Sequence, residues 1–372
     1  MKILLLGGTG AIGAHLKDIL ANGNNQVFVT TRAQMESSEK VTYLQGNAHN
    51  DSFIMNVLKE HFDAIVDFMS YNTEEFRKRN ELYLKNSEQY IFLSSARVYA
   101  DTGNNLILEA SPRLLDVCED CSYLETDEYA LTKARQEDIL FKSSYNNWTI
   151  IRPYITYSES RLQLGVLEKE AWLFRAIKGH AIVFSEDIID NITTLTYGLD
   201  VSKSMAVLIG NKKSYGKVFH ITGEDYCSWR EILRTYKETI ESELKKPVRI
   251  VIQNKSIRRR FNDTKYQVLY DRSYNRRFDN SNIADYVDIN SFVSIKEGLE
   301  MCMKAFLTKP SFNQINIKEQ ALLDRVSREV YRRGVFQDNK SYFIYLVYRF
   351  VFGVEFLDIM KQKIMNLNIF KK

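Results

Sequence analysis

The segment Gly7-Gly8-Thr9-Gly10-Ala11-Ile12-Gly13, directly behind the apolar run Lys2-Ile3-Leu4-Leu5-Leu6, constrains this chain more than any other feature. A Gly8-x-Gly10-x-x-Gly13 spacing between a strand and a helix serves a specific purpose. The first glycine permits a tight turn. The second lets a pyrophosphate approach the backbone, and the third lets the helix pack closely on the strand. The new helix then offers unpaired N–H groups and the positive end of its dipole to phosphate. The loop therefore predicts a dinucleotide cradle built from Gly7, Thr9, Gly10, Ala11, Ile12 and Gly13.

The residues that follow keep a βαβ rhythm. Apolar runs at 3–6, 26–30, 41–44, 64–68, 89–93 and 148–152 alternate with amphipathic stretches at 12–21, 52–60, 73–85 and 126–143. Several runs are nearly all apolar, as strands buried on both faces are. The fold class predicted is α/β, a Rossmann-type doubly wound parallel sheet. After Pro153 the rhythm changes. Helices at 162–178, 200–209 and 229–241 and strands at 181–184 and 217–222 predict a smaller mixed α/β substrate lobe. The expected divisions are a dinucleotide domain at 1–157, to which a later strand can return, a lobe at 158–307 and a helical C-terminal extension at 308–372.

Within the extension, 342–357 is dense in aromatic and aliphatic residues but carries Arg349 and Glu355. It is too short and too charged for a membrane span. Packing on the rest of the protein or on a second subunit is the reading preferred, with a membrane-surface helix as the lesser alternative.

A chain of 372 residues asks for more than one core. Its net charge of +4 is spread through mixed acids and bases, which makes no case for nucleic acid. The five histidines are scattered, and the Cys118-Glu-Asp-Cys121 pair lacks a second ligand pair. No metal is expected, and these cysteines read as loop thiols. The chain opens on a strand without a basic-then-apolar leader, so a cytoplasmic location is expected.

The end of the second run bears on the cofactor. An NAD site places an acid there for the ribose hydroxyls, but this chain has Thr30-Thr31-Arg32 and no acid until Glu36. Arg32 suits a 2′-phosphate. Thr31 and Arg32 thus point to NADP, with NAD as the alternative.

Tyr129-Ala-Leu-Thr-Lys133 sets a phenol and an ammonium four apart, on one helical face. An ammonium favours the phenolate and so lowers the phenol pKa. The tyrosine then exchanges a proton with an alcohol or carbonyl near neutral pH. Upstream, Ser94-Ser95-Ala96-Arg97-Val98-Tyr99 follows the fifth strand, where open α/β sheets bind ligands. The Ser95 hydroxyl is placed to hydrogen-bond the same substrate oxygen.

Taken in order, Gly7-x-x-Gly10-x-x-Gly13, Ser-Ser-Ala-x-Val-Tyr, Tyr129-x-x-x-Lys133 and Arg152-Pro153-Tyr154-Ile155-Thr156-Tyr157 resemble the extended short-chain dehydrogenase/reductases, the NAD-dependent epimerase/dehydratase family. The resemblance covers about residues 1–307. Lys217-Val-Phe-His-Ile-Thr-Gly223 looks like that family's strand in the substrate lobe. The resemblance implies a catalytic set of Ser95, Tyr129 and Lys133. It implies cofactor contacts from Asn47, Phe68, Met69 and Pro153 besides the glycine loop, and substrate contacts from Ser95, Arg97 and Tyr154. It further implies a nucleotide-diphosphate sugar as substrate and a homodimer.

The chain departs from the pattern in three places. Asn47 stands where the family often has an acid, Asp67-Phe68-Met69-Ser70 replaces small residues, and Ser158 replaces a glycine. A 4,6-dehydratase would carry Asp-Glu beside the Ser-Ser-Ala site, but Ala96-Arg97 stands there. Thr126-Asp127-Glu128 lies directly before Tyr129 and reads as a helix cap. The reading reached is an NADPH-dependent 4-ketoreductase of a nucleotide sugar, such as a dTDP-4-keto-6-deoxyhexose destined for surface polysaccharide. A 4-epimerase with tightly bound NAD is the alternative, and a non-catalytic dinucleotide-binding protein a third. The basic run Arg272-Ser-Tyr-Asn-Arg276-Arg277 reads either as a clamp on the sugar's diphosphate or as a solvated loop.

Overall fold

Along β1 (Lys2–Leu6), Ile3 and Leu5 enter one hydrophobic cluster while Leu4 and Leu6 enter another. Successive side chains of a strand point to opposite faces, so an all-apolar run is a strand buried on both sides. The computed structural model describes residues 1–260 and 264–351. In it β1 sits inside a seven-stranded sheet with β2 (Gln26–Thr31), β3 (Val41–Gln45), β4 (Phe62–Asp67), β5 (Ser87–Leu93), β6 (Trp148–Pro153) and β7 (Lys217–Ile221). The order is β7-β6-β5-β4-β1-β2-β3, and all pairings are parallel.

One face of the sheet is covered by α1 (Gly13–Asn22), through Leu16 and Leu20, and by a helix at Gly198–Leu208, through Val201, Met205 and Leu208. The other is covered by α2 (Thr73–Lys85), through Phe76, Tyr83 and Leu84, and by α3 (Tyr129–Phe141), through Leu140. The switch of connection from β1–β3 to β4–β7 leaves the carboxyl ends of β1, β4 and β5 side by side. That is where an open α/β sheet holds its ligand.

The chain divides into two units, each discontinuous in sequence. The first comprises 1–161, 192–227 and 274–302; the second comprises 162–191, 228–273 and 303–372. The 217–222 strand is therefore not in a substrate lobe. Lys217–Ile221 runs parallel to β6 as the seventh strand of the main sheet. The stretch 162–178 is not one helix either. It opens as a hairpin of Gln163–Leu164 with Leu167–Glu168, and only Lys169–Ile177 is helical. Gly165, at φ +59, makes the turn that an uninterrupted helix would not permit.

The second unit has its own small core, with Val183 and Ile257 packed on Leu322 and Leu323 of a helix at Ile317–Ser327. The apolar stretch at 342–357 is helical as far as Val351, and Tyr345 is buried with Ala321 and Tyr331 within that unit. Its last six positions, 352–357, lie outside the described residues. Among the described residues no helix is long and apolar enough to cross a membrane.

One buried carboxylate ties α3 to the sheet. Glu137 accepts hydrogen bonds from Ser94 Oγ at 2.6 Å, from Arg152 Nε and Nη2 at 2.8 and 2.7 Å, and from Arg113 Nη1 at 3.3 Å. Glu137 and Arg152 are both buried, so removing either leaves an uncompensated charge in a medium that solvates it poorly. We predict that Glu137→Leu lowers unfolding stability by about 3–5 kcal/mol, read from urea midpoints, and that Glu137→Gln loses less because it keeps part of the hydrogen bonding. Equal stability of Glu137→Leu and the wild type would refute this.

Candidate functional site

The glycine loop owes its shape to contacts that tolerate no side chain. Gly7 has φ +71, and a Cβ there would meet Met69 Sδ at 2.8 Å. A Cβ on Gly13 would fall 2.7 Å from the Gly8 backbone, so this glycine lets the first turn of α1 close onto the loop. Gly10 differs, because a Cβ there meets nothing within 4 Å. Its bareness serves no packing need and leaves space for a ligand. Ile12 precedes α1 without a side-chain cap, and the first turn has no acid. The Ala14 N–H is taken by Gly10 O at 3.0 Å, and the positive dipole end of α1 is left for an anion. Ser202 Oγ donates to Ile12 O at 2.8 Å and braces the loop. These features fit the pyrophosphate of a dinucleotide.

Beside the loop lies a cleft of about 450 Å³ lined by Gly7, Thr9, Thr31, Arg32, Asn47 and Met69, among others. Arg32 and Asn47 are exposed at its rim, and Asn47 Oδ1 accepts from the His49 N–H at 3.1 Å. Phe68 and Met69 are half-buried just past β4, and Pro153 ends β6.

The second cluster sits past β5 and on α3. Ser95 Oγ accepts from the Arg97 backbone N–H at 3.2 Å. Lys133 is buried, and its Nζ donates to Leu93 O at 2.8 Å and Met69 O at 3.5 Å. A second cleft, of about 290 Å³, is lined by Ser70, Tyr129 and Lys133. Tyr129 is 40% exposed. Partial burial raises its phenol pKa, while Arg97, Arg161 and the Ser95 hydroxyl pull it down and Glu128 pushes it up. Burial presses the Lys133 ammonium down to about 8 against the pull of Asp67 and Glu137. Asp67, at the end of β4, accepts from Tyr90 Oη at 2.7 Å and Met69 N–H at 2.9 Å, yet burial lifts its carboxyl to about 6.

Several expected contributors lie elsewhere. Arg272 and Arg276 do not form an exposed clamp. Both are buried, Arg272 in the second unit and Arg276 in the first. Arg272 donates from Nε to Gly165 O at 2.9 Å, and Arg276 donates to Ala100 O and Tyr99 O at 3.1 Å each. Carbonyls of the chain itself take up these donors, and Arg272 Nη1 also pairs with the Asp271 carboxylate. Tyr154 is buried, with its ring 5.2 Å from that of Phe278. Glu128 caps α3 through the Ala130 N–H at 2.8 Å, and Asp127 accepts from Thr73 Oγ1 at 2.8 Å.

The sequence reading missed Asp67, Glu128, Glu137 and Arg161 as contributors to this environment. A carboxylate inside a strand of apolar residues was the available signal for Asp67. Glu128 was marked only as a helix cap, and nothing local marked Glu137 or Arg161.

A parallel sheet in this order, a glycine cradle behind β1 and a Ser–Tyr–Lys set behind β5 define the class of extended short-chain dehydrogenase/reductases. The family model described as "NAD dependent epimerase/dehydratase family" matches residues 3–221, and the chain belongs to that family.

Among curated proteins it is 28% identical over 245 residues to the chloroplast stem-loop binding protein of 41 kDa b of Arabidopsis thaliana, covering 61% of this chain and 60% of the relative. It is 26% identical over 153 residues to the UDP-glucose 4-epimerase of Lactobacillus helveticus, covering 38% and 46%. The chain thus spans less than two thirds of either relative's length. Among solved structures, the UDP-glucuronic acid 4-epimerase of Bacillus cereus in complex with UDP-glucuronic acid and NAD shares the fold. It gives a TM-score of 0.63 at 15% identity over 83% of this chain and 99% of that one.

The two glycines separate folding from binding. Gly13→Ala should lower the melting temperature through an overpacking cost of about 1–3 kcal/mol. Gly10→Ala should leave the ligand-free melting temperature in place and weaken dinucleotide binding by roughly tenfold, about 1.4 kcal/mol. Thermal melts and calorimetric titration check both.

Proposed function

We propose that the chain is a nucleotide-sugar epimerase, which transiently oxidises a ring carbon bearing a hydroxyl with a tightly held NAD and returns the hydrogen to the opposite face. The observation that carries this reading is the gathering of Ser95, Tyr129 and Lys133 at the carboxyl ends of β4 and β5, beside the glycine cradle. The relatives named as 4-epimerases support it. The residues that would hold the dinucleotide are Gly7, Thr9, Gly10, Ala11, Ile12 and Gly13 at the pyrophosphate. Asn47 and Arg32 would lie towards the adenosine half, with Phe68, Met69, Lys133 and Pro153 towards the nicotinamide half. When bound, the nicotinamide supplies the acceptor and later the donor of the hydrogen. Tyr129 Oη takes the hydroxyl proton during oxidation and returns it afterwards. Ser95 Oγ orients the same oxygen, and Lys133 Nζ holds the ribose hydroxyls.

Arg32 favours a second reading, a ketoreductase that consumes NADPH, since an exposed guanidinium at that rim suits a 2′-phosphate. The stem-loop binding relative suggests a third, a dinucleotide-binding protein that also holds a nucleic-acid stem-loop. The cofactor released from purified protein separates the first two. Retained NAD with no net NADPH oxidation on a 4-keto sugar nucleotide supports the epimerase, and steady NADPH consumption overturns it. A mobility-shift titration with stem-loops tests the third. Under either enzymatic reading, Tyr129→Phe should cut turnover by roughly 10²–10⁴-fold. Unchanged turnover would refute the role given to Tyr129.

A further inference from the structure

Besides Lys133, a second cation faces Tyr129. The Arg97 guanidinium lies over the Tyr129 ring, 5.2 Å from its centroid, whereas Lys133 Nζ is 6.0 Å away. The Lys133 ammonium is turned to the Leu93 and Met69 carbonyls and lies 4.5 Å from the Phe92 ring centroid.

Arg97 is held in place from below. Its Nη2 donates to Glu128 Oε1 at 2.5 Å, and the two side chains are 14% and 9% exposed. Glu128 Oε2 in turn accepts from Tyr123 Oη at 3.1 Å and from the Ala130 N–H at the start of α3 at 2.8 Å. The Arg97 backbone N–H donates to Ser95 Oγ at 3.2 Å. Arg97 therefore touches both groups assigned to the proton transfer, Ser95 by its main chain and Tyr129 by its side chain.

We propose that Arg97, clamped by Glu128 over the face of Tyr129, is the positioning residue whose charge stabilises the Tyr129 phenolate, with Glu128 as the counter-charge that sets how strongly it acts. The proposal rests on the reading of Tyr129 as the proton-transfer group. The groups facing this phenol are Ser95 and Arg97 from the turn after β5, Glu128 and Lys133 from α3, and Arg161 from the segment after β6. Of these, Arg97 and Glu128 are opposite in sign and directly bonded. Substituting one or the other should therefore move the phenol in opposite directions, which a loosened site does not do. An opposite charge within a few ångströms displaces a pKa by about 1–3 units.

The experiment is a pH titration of the protein as purified, labelled with ¹³Cζ-tyrosine, with the Tyr129 resonance assigned by its loss in Tyr129→Phe. Arg97→Met should raise the Tyr129 midpoint by about one pH unit or more, and Glu128→Gln should lower it by about one. Arg97→Lys should fall close to the wild type, and the double variant Arg97→Met/Glu128→Gln should return towards it. The pH optimum of turnover should follow the same order. Shifts of Arg97→Met and Glu128→Gln in the same direction, or an unmoved midpoint in Arg97→Met, would each overturn the proposal. Its failure is distinguishable from failure of the enzymatic reading: retained turnover in Tyr129→Phe defeats that reading, while the titration still reports on Arg97.

Discussion

The site depends on a single buried carboxylate. Glu137 sits one turn beyond Lys133 on α3 and is gripped by Ser94, Arg152 and Arg113. Ser94 is the neighbour of Ser95, and Arg152 directly precedes Pro153 at the end of β6. One ionic cluster thus fixes the end of β5, the end of β6 and the helix carrying Tyr129 and Lys133 in a common frame. Such a cluster contributes little net energy over an apolar core of the same shape, but breaking one partner is costly. Its value here is geometric, because it holds Ser95 and Tyr129, which come from different elements, in one frame.

Around that frame, burial acts as strongly as charge. Asp67 is pushed up to about 6 and Lys133 down to about 8, both towards their neutral forms, although each favours the charge of the other. Desolvation outweighs mutual attraction in both cases. The outcome is a pair shifted towards its neutral forms behind Tyr129. Perturbed groups of this kind gather where proton chemistry is done.

The sheet was legible because its strands are short apolar runs and its helices amphipathic. β1 to β6 lie within a few residues of the apolar runs in the sequence, and α2 (Thr73–Lys85) coincides with its expected bounds. What failed was anything set by distant partners. Lys217–Ile221 looks the same whether it pairs in a lobe or beside β6, since strand periodicity says nothing about the neighbour. Arg272 and Arg276 read as exposed because arginine usually is, and only the folded chain reveals the carbonyls that hold them. Of the site, the glycine cradle and the Ser–Tyr–Lys set were visible as local spacings. The clamp of Glu128 on Arg97 spans two elements and was not.

The placement of β7 has a consequence for how the chain comes into being. The backbone passes between the two units five times, and β6 is complete about sixty residues before its edge partner begins at Lys217. During synthesis the sheet therefore spends an interval with β6 as an open edge, a row of unpaired N–H and C=O groups inviting another strand. Domains generally mature as units from the N-terminus, but here the first unit cannot close until much of the second has been made. Neither unit is a continuous segment that could be cut out or exchanged as one piece.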